Sequence, residues 1–180
     1  IREVVDDQIP GDFAEFGIWK GGTIVFAASV FRVLDEDRIV YGFDSFDGCP
    51  LPEPERYPVD RGNHHHRLNY LKVDFETVQR TVEIFGVDPL VRLVPGWFED
   101  TVEHPPFECL SVLRLDGDLY SSTIQVLQSV YERVSPGGFV IVDDFALIGA
   151  RKAVEDYRRA AGINEPFVRI DDSSVFWRKG

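Results

Sequence analysis

Two short stretches carry the side chains best suited to chemistry. Leu113-Arg114-Leu115-Asp116-Gly117-Asp118-Leu119-Tyr120 and Val140-Ile141-Val142-Asp143-Asp144 each run apolar and then end in paired carboxylates. A short apolar run bounded by turn residues reads as a buried strand of a parallel sheet. Acids just past the carboxyl ends of two such strands stand where open α/β sheets bind ligands. Carboxylates crowded there repel one another unless a cation joins them, and a hard, oxygen-loving ion such as Mg²⁺ fits best. The chemistry that suits this arrangement is metal-assisted group transfer with a nucleotide-like cofactor. The competing reading is that Asp116, Asp118, Asp143 and Asp144 merely cap turns, as Asp often does. Two pairs on neighbouring strand ends favour the metal.

The elements that must position these acids follow in chain order. Phe13 to Ile18 reads as the first strand, and Ile24 to Leu34 as a helix with a buried face. Between them, Gly17, Gly21 and Gly22 allow close backbone approach to a ligand, and the helix start offers free N–H groups. The spacing is not the dinucleotide fingerprint G-x-G-x-x-G, and a plain tight turn would look the same. Arg38 to Asp44 is the second strand. An acid at that strand end commonly accepts hydrogen bonds from ribose hydroxyls; otherwise Asp44 caps the next turn. A helix spans Asp74 to Phe85, with Phe75, Val78, Val82 and Phe85 on one stripe and Gly86 as the stop. The third strand is Leu90 to Val94. Trp97 and Phe98 at its exit could stack on a flat base such as adenine, or simply pack in the core. The fourth strand spans Cys109 to Leu115. Ser121-Ser122-Thr123 is the expected cap of a helix over 124–134, with Ser135-Pro136-Gly137-Gly138 as its stop. Phe139 to Val142 is the fifth strand, Ala150 to Ala161 a helix, and 167–170 and 175–177 an antiparallel pair. Strand–helix alternation followed by such a pair is the order of an S-adenosylmethionine methyltransferase sheet.

The segment from Asp47 to Gly62, rich in Pro, Gly and charge, is too long to be a mere connection and reads as a lid or substrate loop. His64-His65-His66 invites a metal assignment, but three neighbours rarely converge on one point. A solvated loop, with at most one histidine touching substrate, fits better.

The 180 residues fit one domain with a substantial core, to which 14 Phe contribute. The formal net charge of −12 argues against nucleic acid as a partner. No run reaches membrane-spanning length and no signal pattern opens the chain, so no membrane partner and a cytoplasmic location are the default expectations. Cys49 and Cys109 show neither zinc spacing nor a disulfide framework, and Cys109 is expected to be a buried thiol. The chain starts at Ile1 and contains no Met, so an N-terminal cap is expected to precede it.

Five ordered motifs carry a resemblance that covers nearly the whole chain. They are Pro10 to Gly22, Asp44-Ser45-Phe46-Asp47-Gly48, Val94-Pro95-Gly96-Trp97-Phe98, Leu115 to Thr123, and Ser135 to Asp144. Val175-Phe176-Trp177-Arg178 is similar to the terminal strand. Together they resemble the macrocin O-methyltransferase family, which modifies antibiotic sugars. The resemblance implies a Rossmann-like class I methyltransferase fold: α/β, a mostly parallel seven-stranded sheet with an antiparallel C-terminal hairpin and helices on both faces. It implies one S-adenosyl-L-methionine-dependent, Mg²⁺-dependent O-methyltransferase domain over 1–180, a glycosylated natural product as acceptor, and a homo-oligomer. The metal ligands it implies are Asp116, Asp143 and Asp144. The cofactor would lie among Glu15, Gly17, Gly21, Gly22, Thr23, Asp44, Ser45, Gly96, Trp97, Phe98 and Asp116, with Glu15 meeting the methionine ammonium. The 47–70 loop, histidine triplet included, departs from the family pattern where the acceptor pocket is shaped.

A sugar hydroxyl is a poor nucleophile at neutral pH, and coordination to Mg²⁺ would lower its pKa. Asp116 is the first candidate to accept the proton and Asp118 the second. A catechol-type phenol acceptor, an NAD-dependent oxidoreductase on a related sheet, and a binding domain without catalysis are the competing readings. The missing glycine fingerprint counts against the second, and the full set of acids against the third.

Overall fold

The computed structural model describes residues 1–180. Five parallel strands come first along the chain: β1 (Asp12–Phe16), β2 (Val40–Asp44), β3 (Val91–Pro95), β4 (Leu110–Leu115) and β5 (Val134–Val142). β6 (Val168–Arg169) and β7 (Val175–Arg178) close the sheet, in the order β3-β2-β1-β4-β5-β7-β6. β7 runs antiparallel to both β5 and β6. Successive strands are added outward from β1 through β2 to β3 on one side and from β4 to β5 on the other, so the direction of winding reverses between β1 and β4. That is the switch point where ligands bind in such sheets.

Side-chain alternation splits the core in two. Phe16, Phe43, Leu113, Leu115, Val140 and Trp177 face one layer, which holds α5 (Tyr120–Val130) and α6 (Ile148–Ala161). Phe13, Val40 and Val112 face the other, against α2 (Gly22–Val33) and α3 (Phe75–Ile84). The apolar stripe read for α3 places Val78 and Val82 in this second layer, while Phe85 at its end is exposed. Asp74 caps α3 by accepting from the Thr77 N–H. Full burial of one such Val, Leu or Phe side chain stabilises by about 1.5–3 kcal/mol.

Several boundaries differ from the sequence expectation, each for a local reason. α1 (Arg2–Asp6) forms in the charged opening segment because Val4 is buried, and α4 (Phe98–Thr101) turns directly after β3. β5 begins at Val134, not Phe139: the Pro136-Gly137-Gly138 kink lies inside the strand, where the pairing with β4 shifts register. Gly137 absorbs the kink with φ +80°. α5 begins at Tyr120, so Ser121, Ser122 and Thr123 are buried in its first turns and cap nothing. Cys109 precedes β4 and is half-buried rather than buried.

Candidate active site

Parallel register sets the site. Beyond the strand ends the ladder runs on for one row: Gly17 donates its N–H to Phe43, Asp116 to Phe16, and Asp143 to Leu115, at 2.8, 2.9 and 2.9 Å. Gly17, Asp116 and Asp143 therefore leave the sheet side by side. They line a single cleft of about 810 Å³, with Asp44, Asp118 and Asp144 in its wall.

Asp116, Asp143 and Asp144 each present a carboxylate oxygen within 4.8 Å of the others. Three hard oxygen donors at this separation fit a divalent cation of the Mg²⁺ type. Electrostatics point the same way. Burial, and then the charges of Asp116 and Asp118, push the Asp144 carboxyl up to about 8. Burial also raises Asp116, with Asp143 adding repulsion and Arg114 opposing both. A cation among them would relieve this crowding.

Arg114 was not singled out from the sequence and is central here. Its guanidinium lies 2.6 Å from Asp116 and 2.5 Å from Asp143, and also pairs with Glu15. The last pairing is dictated by register, because Glu15 and Arg114 are direct partners across β1 and β4. Burial works against the Arg114 charge, but the three acids hold its pKa above the ordinary value. Glu15 is 1% exposed and does not itself line the cleft. Burial pushes its carboxyl up to about 8, since one guanidinium shared among three acids cannot offset it. Its Oε2 has no hydrogen-bond partner.

The remaining residues named for the cofactor fall into two groups. Gly17, Asp44, Ser45, Trp97, Phe98 and Asp116 line the cleft. Gly21, Gly22, Thr23 and Gly96 do not. Gly21 instead stands just before α2 as its N-cap residue at φ +76°, where a Cβ would meet Val78 at 2.9 Å. Asp44 accepts from the Ile18 and Trp19 N–H groups at 2.9 and 3.1 Å and from Phe46 at 2.8 Å, so it also pins the turn after β1. Burial raises its pKa against the pull of those donors. Phe98 packs edge-on against Phe16, with ring centroids 5.4 Å apart, so its ring serves core and cleft together.

The loop after β2 forms the opposite wall through Cys49, Pro50, Leu51, Glu53 and His66. The triplet is not the simply solvated loop expected from the sequence, because only one of its three side chains is exposed. His64 is exposed, His66 faces the cleft, and His65 Nδ1 stands 3.6 Å from Asp118. Asp118 takes a left-handed conformation, φ +57°, and donates its N–H to Asp144 at 3.1 Å. Cys49 donates its thiol to Asp118 at 3.2 Å. Burial, and then the Asp118 charge, push that thiol well up. Trp19, also left-handed, donates its indole N–H to the Tyr70 carbonyl at 2.8 Å and ties the loop's far end to the first turn.

This sheet order, the reversed last strand and the acid row define a Rossmann-like class I methyltransferase. Residues 1–179 match the model of the macrocin-O-methyltransferase (TylF) family, and the chain belongs to that family of O-methyltransferases. It is 41% identical over 184 residues to the mycinamicin III 3''-O-methyltransferase of Micromonospora griseorubida, covering 99% of this chain and 72% of that protein. It is 44% identical over 181 residues to the 8-demethyl-8-(2,3-dimethoxy-alpha-L-rhamnosyl)-tetracenomycin-C 4'-O-methyltransferase of Streptomyces olivaceus, covering 99% and 69%. Among solved structures it is similar to the O-methyltransferase NovP, with TM-score 0.95 and 39% identity over 99% of this chain and 75% of that one.

Proposed function

We propose that this chain, read as one domain, transfers a methyl group from S-adenosyl-L-methionine to a sugar hydroxyl of a glycosylated natural product, with Mg²⁺ held by Asp116, Asp143 and Asp144. The observation that carries this reading is the triad of aspartates in a cleft shared with Gly17 and Asp44. The acceptor class rests on the relatives, one of which is named for a rhamnosyl substrate. This favours a sugar over a catechol-type phenol.

When bound, the sulfonium supplies an activated methyl group and the divalent cation lowers the pKa of the acceptor hydroxyl. Everything else falls to the chain. Glu15, buried at the end of β1 with its Oε2 unpaired, is the group assigned to the methionine ammonium, whose positive charge would favour the ionised carboxylate. Asp44 takes the ribose hydroxyls through lone pairs left over from its backbone contacts. Trp97 and Phe98 border the adenine. Asp118 is assigned as the proton acceptor in preference to Asp116. Asp116 is engaged by Arg114 and belongs to the triad, whereas Asp118 faces the cleft outside it. The loop wall excludes water and fixes the acceptor's direction, the main requirement for an in-line displacement.

The test is methyl transfer to mycinamicin III, the tetracenomycin rhamnoside and a simple catechol, with and without EDTA. Turnover of a glycoside that EDTA removes and Mg²⁺ restores is expected. Turnover of the catechol alone, or turnover indifferent to chelation, would contradict the reading.

A further inference from the structure

α5 has no local cap. Its N-cap residue is Leu119, which makes no side-chain bond to the first turn. The first N–H groups of a helix need acceptors, and buried ones need them more. Here the acceptor comes from 60 residues away, because both oxygens of Asp60 are used: Oδ1 accepts from Tyr120 N–H at 2.8 Å and Oδ2 from Ser121 N–H at 3.0 Å. Asp60 is 2% exposed in a loop otherwise largely open to solvent. Two further features surround it. The Tyr57 and Tyr120 rings lie 6.0 Å apart. Gly149, at the start of α6, sits so close that a Cβ would come within 3.3 Å of Asp60 Oδ1 and 2.8 Å of the Tyr120 nitrogen.

This contact joins two walls of the cleft. The loop supplies Cys49, Leu51 and His66, while α5 supplies Ser121, Ser122 and Gln125. The Asp116-Gly117-Asp118 turn runs directly into α5. We propose that Asp60 is a positioning residue for the acceptor: it staples the loop wall to the helix that follows the acidic turn, so that acceptor and proton-accepting carboxylate are held in one frame. Trp19 secures the loop's other end, at Tyr70. The assignment rests on the reading of the cleft given above, because it presumes that the loop wall faces an acceptor.

The loop carries its own reporters, since Arg56, Arg61 and Arg67 are exposed trypsin sites. The experiment compares the whole chain with Asp60→Ala, Asp60→Asn and a control, Asp74→Ala, which removes the cap of α3 away from the cleft. Trypsin cleavage after Arg56 and Arg67, the two sites not adjacent to residue 60, affinity for S-adenosylhomocysteine, and KM and kcat for the glycoside that turns over are measured. Asp60→Ala is expected to speed loop cleavage and raise acceptor KM, each about tenfold, with S-adenosylhomocysteine affinity unchanged. Asp60→Asn keeps one acceptor oxygen and should fall between; it decides the matter alone if the alanine variant does not fold. Asp74→Ala should behave as wild type in the loop and in KM. Unchanged cleavage and KM in the Asp60 variants, or the same change in Asp74→Ala, would overturn the proposal. The trypsin arm needs no acceptor, so a wild type without methyl transfer would sink the functional reading while the staple is still judged.

Discussion

Gly17 and Asp116 are in such close contact that a methyl group on Gly17 would stand 1.9 Å from the Asp116 carbonyl oxygen. The turn proposed to border the cofactor and the first acid of the triad are thus built against each other, backbone to backbone. Gly17 also holds φ +92°, a conformation that side chains resist. Gly17→Ala is expected to destabilise by about 3 kcal/mol or more, read by urea unfolding. Gly22, with nothing within 4 Å of its would-be Cβ and an ordinary helical place in α2, is the contrast. Gly22→Ala should be neutral or stabilising by up to about 1 kcal/mol. Equal losses in the two variants would refute the close approach.

Asp118 is the proposed proton acceptor. Asp118→Asn keeps size and polarity but removes the base. A fall in kcat of about 10²- to 10⁴-fold is expected, with S-adenosylhomocysteine affinity unchanged in calorimetry. A rate within a factor of a few of wild type would return the role to Asp116.

Glu15 gives a pH signature. Its folded pKa of about 8 lies above its unfolded value, so the folded state prefers the neutral carboxyl. The stability gained in this way is complete below about pH 4 and is lost as pH climbs through about 8. The ligand-free chain should therefore melt at lower temperature at pH 8 than at pH 5. In Glu15→Gln that slope should be shallower, and S-adenosylhomocysteine binding should be weakened. Asp144 shifts in the same direction, so the comparison is between slopes and not absolute melting points. Matching slopes would show that Glu15 does not titrate in this window.

Asp44 holds the turn after β1 and is the residue proposed to take the ribose hydroxyls. Asp44→Ala frees the Ile18, Trp19 and Phe46 N–H groups that it holds. It should cost about 1–3 kcal/mol of stability along with cofactor affinity. A residue that only touched ribose would lose affinity with no change in melting, and that result would separate the two roles.

Local patterns in the chain carry the fold a long way, because each parallel strand is a short apolar run and each helix a separate periodic segment. The succession of strands and helices and the acids at the strand ends are legible for that reason, whereas the order of the strands within the sheet comes from the structure. Arg114 left a usable signal, since an arginine inside an apolar strand needs acids beside it, but its partner Glu15 emerges only from the β1–β4 register. Asp60 left none. Its role is to cap a helix that starts 60 residues later, and Ser121 to Thr123 looked like adequate local caps until the helix proved to begin one residue before them. The glycines show the same limit: type and spacing grouped Gly17, Gly21 and Gly22, while only Gly17 reaches the cleft.

The shared-ion claim is tested most directly by calorimetric titration of Mg²⁺ into the chain saturated with S-adenosylhomocysteine, beside Asp116→Ala and Asp143→Ala. One ion per wild-type chain, and none in either folded variant, is the predicted result. Binding that survives both substitutions, or a wild type that takes up no ion yet still methylates, would contradict it.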